Sequence, residues 1–145
     1  MARPVTPALS VDIIIELRDR PDRPIVLIER KYPPPGWAIP GGFVDIGETV
    51  EHAAVREAQE ETNLTVTLTQ LLGVYSDPRR DPRGHTVSAV YVAEAVGEPT
   101  AQDDARHLAV FAMDELPSLL AFDHSQILQD YLHFRQTGES RSVRN

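Results

Sequence analysis

From Thr49 to Thr62 the chain runs without glycine or proline and is rich in Glu and Ala, which predicts a helix. Advancing about 100° per residue, Glu57, Glu60 and Glu61 fall within an arc of about 100°. Val50, Ala53 and Ala54 lie on the same side, one to two turns earlier. The acidic cluster therefore continues the face that should pack inward. Like charges gathered this closely raise one another's pKa or call for a cation. Hard divalent ions take oxygen ligands, and Mg²⁺ suits a few carboxylates together with water and phosphate oxygens. Arg56, one turn before Glu60, is a fixed cation able to hold a carboxylate in place. Just upstream, Gly41-Gly42 lets backbone groups approach a ligand without a Cβ in the way. By themselves these residues also fit a solvated helix supported by ordinary Arg–Glu pairs one turn apart.

The remaining pattern is that of one layered domain with mixed α and β elements. Strands are predicted over 10–17, 25–29, 66–75, 85–96 and 108–112, and a last helix over about 123–135. The first two strands, separated by Arg18-Asp-Arg-Pro-Asp-Arg-Pro24, should form a hairpin. Pro33-Pro34-Pro35-Gly36 makes a stiff loop that delivers Trp37, and Pro40-Gly41-Gly42 reads as a turn. Residues 1–9 read as an arm and 137–145 as a frayed tail, so the 145 residues form a single domain. Val11, Ile13, Ile15, Val87, Ala89 and Tyr91 alternate as core positions should.

Composition narrows the partners. Lys plus Arg is 14 and Asp plus Glu is 22, a net charge of −8, which opposes binding to nucleic acid or to anionic membranes. With no cysteine, disulfides, thiolate metal sites and thiol nucleophiles are excluded. No apolar run reaches the length of a membrane span or a signal peptide, and the expected setting is the cytoplasm. His52, His85, His107, His124 and His133 are scattered without ligand spacing and read as structural or exposed.

Gly42, five residues, Glu48, seven residues and then Arg56-Glu57-Ala58-Gln59-Glu60-Glu61-Thr62-Asn63-Leu64 resembles the Nudix box. That pattern is G, five residues, E, seven residues, R-E-U-x-E-E-x-G-U, with U a bulky aliphatic. Six fixed residues at frequencies of about 5–8 % would coincide in roughly one chain per 10⁵, so the signal is specific. Ala58 replaces a larger aliphatic. Asn63 replaces the glycine that ends the helix, and Asn is the next-best residue for a left-handed cap. The resemblance, with Trp37-Ala-Ile-Pro-Gly-Gly-Phe43 leading into the box, implies an α/β/α sandwich around a mixed β-sheet. It implies hydrolysis of a nucleoside diphosphate derivative with Mg²⁺, for which Mn²⁺ can substitute. Glu57 and Glu61 would be the principal metal ligands, with Glu60 and the Gly41 carbonyl as further ones. Arg56 would orient a glutamate, and Glu48 would support the loop or a second metal. The general base would come from Glu57 or from the acidic loop holding Glu98, Asp103 and Asp104, a loop that equally fits a solvated role.

Pro78, 15 residues after Asn63, together with Arg80-Asp-Pro-Arg83 and Ala121-Phe-Asp-His124, is similar to members that cleave ADP-ribose to AMP and ribose 5-phosphate. Arg80 and Arg83 are candidate substrate contacts, as forks for phosphate or ribose oxygens, or else ordinary loop charges paired with Asp77 and Asp81. Trp37 could stack on adenine or belong to the core, and Tyr32 and Phe43 share that ambiguity. Other expected readings are hydrolysis of NADH, a dinucleotide polyphosphate or an oxidised nucleotide, and a non-catalytic ADP-ribose sensor. Such a sensor calls for a DNA-binding segment that these 145 residues do not hold. Relatives that use ADP-ribose imply a homodimer.

Overall fold

The computed structural model describes residues 2–102, 105–141 and 143. The elements are β1 (Ala8–Leu17), β2 (Ile25–Arg30), β3 (Trp37–Ala38), β4 (Gly41–Phe43), α1 (Val50–Thr62), β5 (Thr67–Tyr75), β6 (Thr86–Ala95), β7 (Ala105–Phe111) and α2 (His124–Thr137). The expected strands and helices are present, with ends shifted by up to three residues. The arm shortens because Ala8 already pairs with Thr86.

All seven strands belong to one mixed sheet, with the path β3-β2-β1-β6-β5, β7 beside β2 and β4 beside β1. β1 and β6 run parallel in unbroken register from Ala8↔Thr86 to Leu17↔Ala95, while the other pairs are antiparallel. Alternation along the strands divides the core. Val11, Ile13 and Ile15 join Ala89, Tyr91 and Ala93 against Ala53, Ala54 and Ala58 of α1. Ile14, Leu27, Val90 and Val92 pack on the other side against Ile127, Leu128 and Tyr131 of α2. The result is an α/β/α sandwich. The three alanines on α1 let that helix lie close to the sheet and bring its carboxylates near the strands.

One expectation needs correcting. Gly41-Gly42 is not a turn: Gly41, Gly42 and Phe43 pair with Asp12, Val11 and Ser10 of β1. Two glycines and a preceding proline carry a turn signal, and only pairing across 30 residues makes the segment a strand. β1 thus holds β4 over residues 10–12 and meets β2 only at Glu16↔Ile25. The sheet parts between β4 and β2, and the gap becomes a cleft.

Helix α1 is closed at both ends as read. Thr49 accepts the His52 amide at 3.0 Å, and Asn63 adopts φ 61° with its N–H on the Gln59 carbonyl. The side chains of Gln59 and Asn63 are also hydrogen-bonded at 3.1 Å.

Candidate active site

The cleft has a volume of about 490 Å³ and runs along the free edge of β4. Its α1 side carries Glu57 and Glu61, and its opposite side carries Asp12, Arg80 and His124. Both glycines of β4 are required by what stands beside them. A Cβ on Gly42 would collide with the Glu57 carboxylate. A Cβ on Gly41 would collide with the Val11 carbonyl and with Asp12, on the other face. Glu61 is anchored to the same strand, its Oε2 accepting the Gly41 N–H at 3.0 Å.

Arg56 organises the acidic side. Its Nε and Nη2 donate to the two Glu48 oxygens at 2.7 and 2.8 Å, and Nη2 also reaches the Phe43 carbonyl at 3.1 Å. Its Nη1 donates to Glu57 at 2.9 Å and to Glu60 at 3.2 Å. These bonds hold the Glu48 carboxyl well below the usual carboxylate range. Glu48 also accepts the Asp45 amide at 3.0 Å and lies 2.6 Å from the His52 ring. Burial pushes Glu57 upward, against the opposing pull of Arg56. Of the three box glutamates, Glu57 and Glu61 line the cleft. Glu60 stays outside the lining with its side chain 45 % exposed.

Among the described residues, no three His, Asp or Glu side chains stand ready-made as a metal cage. The donor set nevertheless fits a hard divalent ion. Two carboxylates face the cleft beside backbone that carries no Cβ, and one of them is a partly desolvated carboxylate that a cation would stabilise. Mg²⁺ needs few protein ligands when water and phosphate oxygens complete its shell. Of the candidate bases, Glu57 lies in the cleft, whereas Glu98 is exposed and paired with Arg20 at 2.8 Å. The Thr100 and Gln102 amides tie the acidic loop to the last carbonyls of α1, and Asp103 and Asp104 lie outside the described residues.

The arginine segment divides. Arg83 is half exposed, lines the cleft, and is bonded to Asp81 while lying over the rings of Phe43 and Phe122. Arg80 also lines the cleft, but its side chain is only 4 % exposed and makes a two-pronged pair with Asp123 at 2.8 and 3.0 Å. Pro78 and Trp37 are not in the lining. Trp37 packs edge-on against Phe111, with ring centroids 5.1 Å apart, in the α2-side core.

The sequence reading passed over Asp12 and gave His124 no place in the cleft. Asp12 is the one charged side chain in the run Val11-Asp-Ile-Ile-Ile15, a signal that was available. It is 8 % exposed and accepts the Ser88 hydroxyl. Burial raises its pKa to about 6, with Ser88 and Arg80 opposing the shift. His124 is buried, and its Nδ1 accepts the Ile39 N–H at 3.0 Å. That bond assigns the ring proton to Nε2, which stands 3.7 Å from Asp12 Oδ1. Burial lowers the His124 pKa to about 3, so the ring is neutral.

The NUDIX domain family model matches residues 6–131, and this chain belongs to that family. It is 49 % identical over 132 residues to the ADP-ribose pyrophosphatase of Methanocaldococcus jannaschii, covering 89 % of this chain and 75 % of the relative. It is 31 % identical over 131 residues to the ADPR responsive transcriptional repressor NtrR of Acinetobacter baylyi, covering 86 % of this chain and 52 % of that protein. The crystal structure of a MutT/nudix family protein from Enterococcus faecalis superposes with a TM-score of 0.81 at 28 % identity, over 94 % of this chain and 65 % of that one.

Proposed function

We propose that the protein hydrolyses the pyrophosphate of ADP-ribose to AMP and ribose 5-phosphate, using Mg²⁺ or Mn²⁺. The observation that carries this is the turning of Glu57 and Glu61 into one cleft against a paired Gly-Gly strand, with Arg56 fixing Glu57. Glu57 and Glu61, with the Gly41 backbone beside them, would hold the ion, and Glu60 stands ready at the edge. A bound divalent ion neutralises phosphate charge and lowers the pKa of water at neutral pH. Among the described base candidates, Glu57 is the one that lines the cleft. In the reaction a water oxygen bonds to one phosphorus, the bridging P–O bond breaks, and the leaving phosphate takes the electron pair. Arg83, which lines the cleft and lies over two aromatic rings, would meet the substrate's anionic or sugar oxygens.

The choice of ADP-ribose rests on the 49 % identical pyrophosphatase and on the Pro78–Arg83 and Ala121–His124 segments. We read the enzyme as a cytoplasmic homodimer without nucleic-acid partners. The exposed Leu71 and Val74 on the edge strand β5 support the dimer, and the net charge of −8 supports the lack of nucleic acid. Purified protein with Mg²⁺ should convert ADP-ribose to AMP and ribose 5-phosphate faster than NADH, diadenosine polyphosphates or oxidised dGTP. Turnover confined to one of those other substrates overturns the assignment. The repressor match keeps one second reading in play, a sensor, and tight ADP-ribose binding without turnover would establish it.

A further inference from the structure

Resting on the ADP-ribose reading, we infer that Asp12 is a specificity residue that accepts a hydrogen bond from a ribose hydroxyl next to the pyrophosphate. Asp12 lines the cleft but has no part in the acidic cluster on α1. One oxygen, Oδ2, takes the Ser88 hydroxyl and lies 4.0 Å from Arg80. The other, Oδ1, has His124 Nε2 at 3.7 Å, too far for a hydrogen bond. The carboxylate is 8 % exposed at the wall of a cleft, with Ser88, Arg80 and Arg30 favouring its charged form, and Oδ1 is the oxygen left to take a donor from a ligand. The surroundings hold it in place: Ser88 fixes one oxygen, and Arg80, itself clamped by Asp123, supplies a neighbouring positive charge.

Geometry selects the donor. Asp12 abuts Gly41 and Glu57 abuts Gly42, on opposite faces of β4, and successive Cα atoms are about 3.8 Å apart. Glu61 also meets Gly41, at its N–H, so a pyrophosphate gathered at Glu57 and Glu61 would leave Asp12, on the other face of the strand, to meet a sugar hydroxyl beside it. Each phosphorus of ADP-ribose carries a ribose there, and the adenine is a whole sugar further away. An anionic carboxylate repels phosphate oxygens and accepts from neutral hydroxyls. The sugar is either the adenosine ribose or the terminal one, and both offer the same chemistry.

The test pairs deletions on the two sides. KM, kcat and calorimetric Kd are measured for ADP-ribose and for analogues lacking one hydroxyl at a time on either sugar, with wild type, Asp12→Ala and Asp12→Asn. Removing the contacting hydroxyl should weaken wild-type binding about tenfold to a hundredfold, with a much smaller change in kcat. Asp12→Ala should weaken ADP-ribose binding by a similar factor and lose all further sensitivity to that hydroxyl. The sensitive analogue identifies which sugar is read. Wild type that is active but indifferent to every hydroxyl overturns the contact and leaves the reaction standing, and this arm needs no variant to fold. Wild type that binds ADP-ribose and senses a hydroxyl without turnover keeps the contact and overturns the reaction. An Asp12→Asn protein that melts as wild type does but needs far more Mg²⁺ for half-maximal activity makes Asp12 a metal-site residue instead and overturns the inference.

Discussion

The Glu57 carboxylate fills the space that a Cβ on Gly42 would occupy: such an atom would lie 2.4 Å from the carboxyl carbon. At Gly41 the obstacle is rigid, because a Cβ would lie 2.2 Å from the Val11 carbonyl oxygen in the paired strand. The same substitution at neighbouring positions should therefore fail in different ways. Gly42→Ala should push aside a flexible side chain, fold with a melting temperature within a few degrees of wild type, and lose about a hundredfold in kcat. Gly41→Ala should force β4 from β1 and cost about 1–3 kcal/mol in stability. Thermal melts and steady-state kinetics on the two proteins check this.

Glu57→Gln and Glu61→Gln should each lower kcat by about a thousandfold or more without unfolding the protein. An amide at position 61 keeps an oxygen for the Gly41 N–H, so the strand contact survives. Glu60→Gln should cost much less, since that side chain is largely in solvent. Chelation should abolish turnover and leave circular dichroism unchanged, because Arg56 and Gly41 retain the carboxylates. Added Mg²⁺ should restore activity and raise the melting temperature through binding linkage.

The Arg56–Glu48 pair should show itself in acid. The folded-state pKa of Glu48 is depressed, so its contribution is present above about pH 4.5 and is lost as pH falls through the carboxylate range. In Glu48→Gln this part of the acid sensitivity should vanish, giving a flatter melting-temperature profile below pH 4.5 than in wild type. Arg56→Lys cannot reproduce the fork that serves Glu48, Glu57, Glu60 and the Phe43 carbonyl together. It should lower kcat about tenfold or more and, because Glu48 is then less depressed, flatten the acid transition as well.

A second pH effect comes from the opposite wall. His124 ordinarily titrates at 6.5 and is lowered to about 3, so its contribution is present above 6.5 and is lost as pH falls toward 3. Asp12 ordinarily titrates at 3.8 and is raised to about 6, so its contribution is present below 3.8 and is lost as pH rises through 6. Between about pH 4 and 6 the two slopes oppose, each near 1.4 kcal/mol per pH unit at full weight. Asp12→Asn removes one of them. Its stability should fall more steeply than that of wild type on acidification from pH 6 to 4, as denaturant titrations at stepped pH would show.

Arg80 and Arg83 should separate stability from binding. Arg80→Ala strips the buried partner from Asp123 and the nearby cation from Asp12, at a cost of about 3–5 kcal/mol. Arg83→Ala takes the charged partner from the buried Asp81, which keeps the backbone N–H of residue 83, and should cost less stability than Arg80→Ala while raising KM for ADP-ribose.

These contrasts mark where local sequence was enough. Helix α1 could be read whole, down to its Asn63 cap, because capping, composition and the 3.6-residue period lie within one segment. The inward turn of Glu57 and Glu61 follows from the alanines preceding them, whereas Glu60, at the margin of the same arc, faces solvent. Arg80 resisted because its partner lies 43 residues away, at the start of α2. His124 resisted for the same reason, since its acceptor role depends on the Ile39 amide, 85 residues distant. β4 exists only through β1, and no property of Gly-Gly announces a strand. Trp37 had two open readings, and Phe111 on β7 accounts for its edge-on packing in the core.

The parting of β4 from β2 along β1 sets a limit on evolvability. The mouth is a seam in a continuous hydrogen-bonded fabric, stitched by Ile13 N–H to the Pro40 carbonyl at 2.8 Å and by the Gly41–Phe43 ladder. Enlarging it would mean unpicking main-chain bonds, which no side-chain replacement does gradually. Adaptation to bulkier nucleotides in this lineage should accordingly accumulate in the lining loops, at Lys31–Pro33 and at Arg83, while the glycine-lined seam stays as it is.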